Sequence, residues 1–92
     1  MRLAWSAHAV SDLQAISEYI EQDRNLVTAN RVTRIIYDAA RSLRSHPYRG
    51  RYGRLANTRE LIVPRIPYVV IYRVLQERVT IVSVLHGAQR WP

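Results

Sequence analysis

The chain has 92 residues, no cysteine, and 14 basic residues against 7 acidic, for a net charge of +7 at neutral pH. That length supports one small domain with a single modest core, so residues 1–92 are expected to form one unit. A disulfide framework and a thiolate metal site are excluded, and at 48% hydrophobic the chain is too apolar to be disordered; no run approaches the roughly 20 apolar residues of a membrane span.

No basic start followed by an apolar stretch marks a secretory signal, so a cytoplasmic address is expected. Every basic residue is arginine. A GC-rich genome accounts for arginine in place of lysine, but not for the excess of positive charge. Arginine grips phosphate and carboxylate with two parallel N–H groups and stacks on flat rings, which suits nucleic acid or an acidic protein segment.

In chain order, "RLAW" at 2–5 reads as a short strand, with Ser6 placed to cap a helix. In "AHAVSDLQAISEYIEQ" the residues Ala9, Leu13, Ile16 and Ile20 fall on one helical face, while Ser11, Asp12, Glu18 and Glu21 lie mostly elsewhere. After "DRN", the stretch "LVTANRVTRIIYDAARSLRS" repeats the pattern through Ala29, Val32, Ile36, Ala39 and Leu43. Pro47 stops it, and so short a link predicts an antiparallel helical hairpin.

From Thr58 the chain turns β-branched and aromatic in "TRELIV", "YVVIYRV" and "VTIVSVLH", joined by short links that suit antiparallel neighbours. Strict alternation in the last run puts Val79, Ile81, Ser83 and Leu85 on one face and Thr80, Val82, Val84 and His86 on the other. Both faces are largely apolar, which predicts a central strand. The fold expected is α+β: an N-terminal strand and a helical hairpin packed on a curved antiparallel sheet.

Between helices and sheet, "HPYRGRYGRLANTRELIVPR" carries Arg49, Arg51, Arg54, Arg59 and Arg65 among Tyr48 and Tyr52, with Glu60 as its only acid. A loop has to be polar, but five positive charges to one negative make this a candidate binding patch. His8, His46 and His86 lack metal-ligand spacing, and no metal or cofactor is implied. His86, at a strand end, could transfer a proton if Arg65 or Arg90 held an anion beside it; the plainer reading is a histidine bonded to backbone. Ser83 reads as a core hydroxyl, Tyr68 and Tyr72 as sheet packing, and Trp91 before Pro92 as an end that could anchor a partner.

Four segments in order, "WSAHAVSDLQAISEYI", "HPYRGRYGRLANTRELIV", "PYVVIYRV" and "VSVLHGAQRWP", resemble the RelE/ParE superfamily of bacterial type II toxin–antitoxin toxins over nearly the whole chain. The resemblance implies a helical hairpin on a curved sheet and a toxin that joins a cognate acidic antitoxin in a hetero-oligomer. RelE-like members are mRNA interferases that cut messages on the ribosome; ParE-like members inhibit DNA gyrase and cut nothing. The RNA-cutting branch typically has an arginine after the aromatic or histidine that opens the middle strand, where this chain has Val69 after Tyr68. Gly87 and Ala88 follow His86 where that branch often has cations. The ending "LHGAQRWP" is similar to the ParE-like branch, which favours gyrase inhibition; a nuclease would have to rely on Arg65 and His86. Target or antitoxin contacts are expected from Arg49, Arg51, Arg54, Arg59, Arg65, His86, Arg90 and Trp91.

Overall fold

A computed structural model describes residues 1–89. Its elements are β1 (Arg2–Trp5), α1 (Ala7–Asp23), α2 (Leu26–Ser42), β2 (Arg51–Tyr52), β3 (Arg59–Ile62), β4 (Tyr68–Leu75) and β5 (Arg78–His86). The strands form one sheet in the order β1-β5-β4-β3-β2, and the helical hairpin packs on one of its faces. No helix among the described residues is long and apolar enough to cross a membrane.

Both helices start where a side chain can satisfy an open backbone amide. Ser6, in extended backbone, accepts from the Ala9 amide at 3.0 Å, and Asn25 Oδ1 accepts from Thr28 at 2.7 Å. Only Arg24 and Asn25 separate the helices, which forces the antiparallel return. The predicted stripes face inward: Ala9, Ile36 and Leu43 are fully buried, with Leu13, Ile16, Val32 and Ala39 packed around them, and Ala40, outside the predicted stripe, is fully buried as well. Burying a side chain the size of Ile36 contributes about 1.5–3 kcal/mol.

The sheet departs from expectation in three ways. It is mixed rather than wholly antiparallel, because β1 runs parallel to β5 with Leu3 opposite Val79 and Trp5 opposite Ile81. That direction brings Ser6 to the middle of β5, where its amide donates to Ile81 O and its hydroxyl to Val82 O. Second, β2 adds a strand where a loop was expected; two residues are too few to leave a periodic signal. Third, β5 changes phase. Ile81 pairs with Tyr72 and Ser83 with Ile71, so Val82 is an extra residue and the alternation shifts past it. Ser83 and Val84 are consecutive buried residues, Val84 joins the core, and Leu85 does not share a face with Val79 and Ile81.

As a strand apolar on both faces should be, β5 is bonded along both edges, although the middle place in the order belongs to β4. The β4–β5 turn is made by Gln76 and Glu77, both at positive φ (51° and 59°), the backbone of a two-residue turn that follows the sheet's twist.

Asp12, assigned by pattern to the polar side of α1, instead reaches the sheet. Its Oδ2 accepts from the Ser83 hydroxyl at 2.6 Å and the Val84 amide at 3.0 Å, with His8 Nε2 at 3.4 Å on the outside. Ser83 is thus a core hydroxyl with a partner. The bulge leaves an amide in need of an acceptor, and the helix supplies one.

Candidate functional site

The arginine-rich segment is fixed from beneath by Tyr72, which is fully buried. Its hydroxyl donates to Pro47 O and accepts from the Gly50 amide, both at 2.8 Å. A Cβ on Gly50 would sit 2.7 Å from that hydroxyl and 2.9 Å from Glu60 O, so only glycine permits this approach. Burial pushes the Tyr72 phenol above its ordinary value, against smaller lowering effects of the Gly50 amide and the Arg59 charge. Burial, with Tyr19 adding to it, also raises Tyr68.

Having passed Gly50, the chain pairs β2 with β3, placing Arg51 opposite Glu60. Glu60 is only 3% exposed, and a buried carboxylate needs partners. Arg51 supplies Nη2 at 3.0 Å and Nε at 3.3 Å to Oε1; Arg54 supplies its amide at 3.2 Å to Oε2, with its Nε 3.9 Å away. Both arginine side chains remain about half exposed, so Glu60 orients two guanidinium groups that face water.

These groups border a shallow groove on the sheet face away from the helices. Val69, Ile71 and Leu85 line it with Arg51, Arg54 and Glu60, and His86, Gly87 and Gln89 complete it. His86 Nδ1 accepts from the Ala88 amide at 3.0 Å, and its ring meets Tyr68 edge-on at 5.4 Å. An amide can only donate, so a neutral His86 bonded this way carries its proton on Nε2. In that state the ring offers a hydrogen-bond donor; acting as a base through Nε2 would require breaking the Ala88 bond.

The predicted patch therefore divides. Arg51, Arg54 and His86 meet in the groove. Arg49 lies at the end of α2, its Nη1 donating to Ser42 Oγ at 3.2 Å. Arg59 points from the other face of its strand: Nη1 donates to Gly50 O at 2.8 Å and Tyr48 O at 3.3 Å, and the guanidinium lies 4.4 Å from the Tyr52 ring centre and 5.1 Å from that of Tyr48. Arg65, at φ 71°, occupies the exposed β3–β4 turn, at the end of the sheet where Tyr68 pairs with His86. Arg90 and Trp91 lie outside the described residues.

Sequence reasoning did not identify Glu60 as the organiser of the patch, nor the apolar residues that line the groove. A lone acid among five arginines, at an inward position of a strand, was the available signal for Glu60. Among the described residues no group of three or more histidine or acidic side chains is placed to hold a metal ion.

The ParE toxin family, described as the ParE toxin of the parDE type II toxin–antitoxin system, matches residues 3–91. Y4kP of Sinorhizobium fredii, whose name carries the word toxin, is 40% identical over 91 residues, covering 99% of this chain and 93% of that protein. Toxin RelE2 of Caulobacter vibrioides is 40% identical over 88 residues, covering 96% of this chain and 97% of that one. In three dimensions the chain is similar to a chain of the chromosomal ParDE system from P. aeruginosa, with a TM-score of 0.87, 23% identity, and coverage of 94% and 95% of the two chains. At that identity the structural likeness speaks for the α+β fold alone. The family match over nearly the whole length carries the assignment: this chain belongs to the ParE toxin family of type II toxin–antitoxin systems.

Proposed function

We propose that this toxin arrests growth by binding and inhibiting DNA gyrase in the cytoplasm, and that a cognate acidic antitoxin keeps it silent in a hetero-oligomeric complex. The observation that carries the reading is the chemistry of the groove. Val69 lines it where a nuclease relative would hold phosphate, and the lone pairs of Glu60 are engaged by Arg51 and Arg54. His86 has Nδ1 committed to the Ala88 amide. The result is a cationic surface built to hold a partner, without a matched acid and base for cutting RNA.

Two surfaces support the antitoxin part. A net charge of +7 complements an acidic segment. Between the helices, Trp5, Val10, Leu13 and Tyr37 line an apolar groove able to take apolar side chains, with Trp5 and Tyr37 stacked at 6.2 Å. The test is a supercoiling assay with purified toxin. Inhibition at stoichiometric ratios, relieved by the antitoxin, is expected; unchanged supercoiling at excess toxin refutes the gyrase reading.

A ribosome-dependent endoribonuclease is the second reading, favoured by the name of the Caulobacter relative and by the approach of the Arg65 turn to His86. It requires codon-positioned cuts in translated messages that disappear in His86→Ala. Intact messages after induction exclude it.

A further inference from the structure

Strand alternation sends Arg51 and Glu60 to the groove and their neighbours Tyr52 and Arg59 to the other face. The helices do not cover that edge of the sheet. Tyr52 is 83% exposed and Tyr48 is 62% exposed, although both are large flat rings that a monomer gains by burying. The Arg59 guanidinium lies against both, and its bonds to Gly50 O and Tyr48 O fix it there. The same cleft is lined by Arg73 and by Leu75, both exposed, from β4.

We propose that Tyr48, Arg59 and Tyr52 form a stacking platform for unpaired bases of a single-stranded nucleic acid, with Arg73 placed for its phosphates. Flat rings beside a cation stack on any base, because every base has a π face. An acidic peptide would be held by several arginine forks. Here Arg59 Nη1 already serves two backbone carbonyls, which leaves Arg73 as the cleft's outward cation and makes the exposed rings of Tyr48 and Tyr52 its larger contact surface. The platform lies away from the groove and does not depend on which target the toxin inhibits.

The experiment measures anisotropy of a short labelled oligothymidylate, and of a duplex of the same length, with the full-length toxin. The single strand is expected to bind more tightly. Tyr52→Ala should weaken it about tenfold while leaving the salt dependence of binding unchanged, because stacking rather than an ionic contact has been removed. Tyr52→Phe should retain the affinity. In Tyr52→Trp, the oligonucleotide should quench tryptophan fluorescence beyond any quenching in the parent, a readout that remains available if the alanine variant folds poorly.

Equal binding by Tyr52→Ala and the parent overturns the proposal, as does equal affinity for single strand and duplex. It also fails if a polyglutamate peptide binds more tightly than the oligonucleotide and loses affinity in Tyr52→Ala, which would make the cleft a peptide site. A negative supercoiling assay bears on the gyrase reading and leaves these outcomes untouched.

Discussion

The two faces of the sheet bury their polar groups by opposite means. On the helix side, Ile36, Leu43, Val70, Val79 and Ile81 make a dry layer; the Tyr72 hydroxyl sunk into it is neutral and doubly bonded, and the Asp12 carboxylate that reaches Ser83 from α1 stays partly exposed. On the open side a full charge is buried, that of Glu60, with half-exposed arginines around it. Stability resides mainly in the first face, where apolar area leaves water. The second determines where charge points, and a net stabilising role is not required of it, since desolvating ions offsets much of their attraction.

The comparison is sharpest at Ile36→Ala. A cavity at a fully buried site should cost about 2–5 kcal/mol in denaturant unfolding; a change near zero would mean that the covered face is not the source of stability. Arg51→Ala attacks the other face. It leaves Glu60 buried with Arg54 alone, and because Arg51 is half in water the loss should be about 2 kcal/mol, below that of a fully buried pair. Glu60→Gln should cost less than Arg51→Ala, because it removes the buried charge itself; the reverse order in parallel melts would contradict this account.

Tyr72→Phe should cost about 1–2 kcal/mol by leaving the Gly50 amide without its acceptor. It also carries a pH signature. Tyr72 and Tyr68 titrate above the ordinary phenol value of 10.0, so the folded state holds those protons more tightly than the unfolded chain. Their contribution is complete below pH 10 and declines as pH rises through the folded-state values. Alkaline unfolding of Tyr72→Phe, followed by circular dichroism, should therefore depend less steeply on pH than that of the parent. The smallest effect is expected from Ser6→Ala, about 1 kcal/mol, for the lost cap on α1 and the lost bond to Val82 O.

What could be read from the sequence was periodic. Ala9, Leu13, Ile16 and Ile20 declared one helical face, and Ala29, Val32, Ile36 and Leu43 another, because the same side is buried over four turns. Features fixed by a single residue or a single bond were not legible. Val82 shifts the phase of β5 with no mark in composition, Asp12 resembles any exposed helix acid until Ser83 is opposite it, and β1 is too short to reveal its direction. The division of the arginine patch had the same origin: Arg51 and Arg59 belong to one basic run, but opposite strand faces send them to different surfaces.

The bond between Ser6 and Val82 spans 76 positions of the chain, and β1 lies beside the strand made last. Closing a loop of that length opposes pairing by on the order of 4 kcal/mol in chain entropy before any side chain is buried. During synthesis Leu3 and Trp5 emerge well before their partner and have no sheet to join until β5 has left the ribosome. The β1–β5 pairing is consequently a late step, as non-local pairing requires. The surface that unites Arg51, Arg54 and His86 comes into being in that final step, so a nascent chain carries the toxin's residues without its shape.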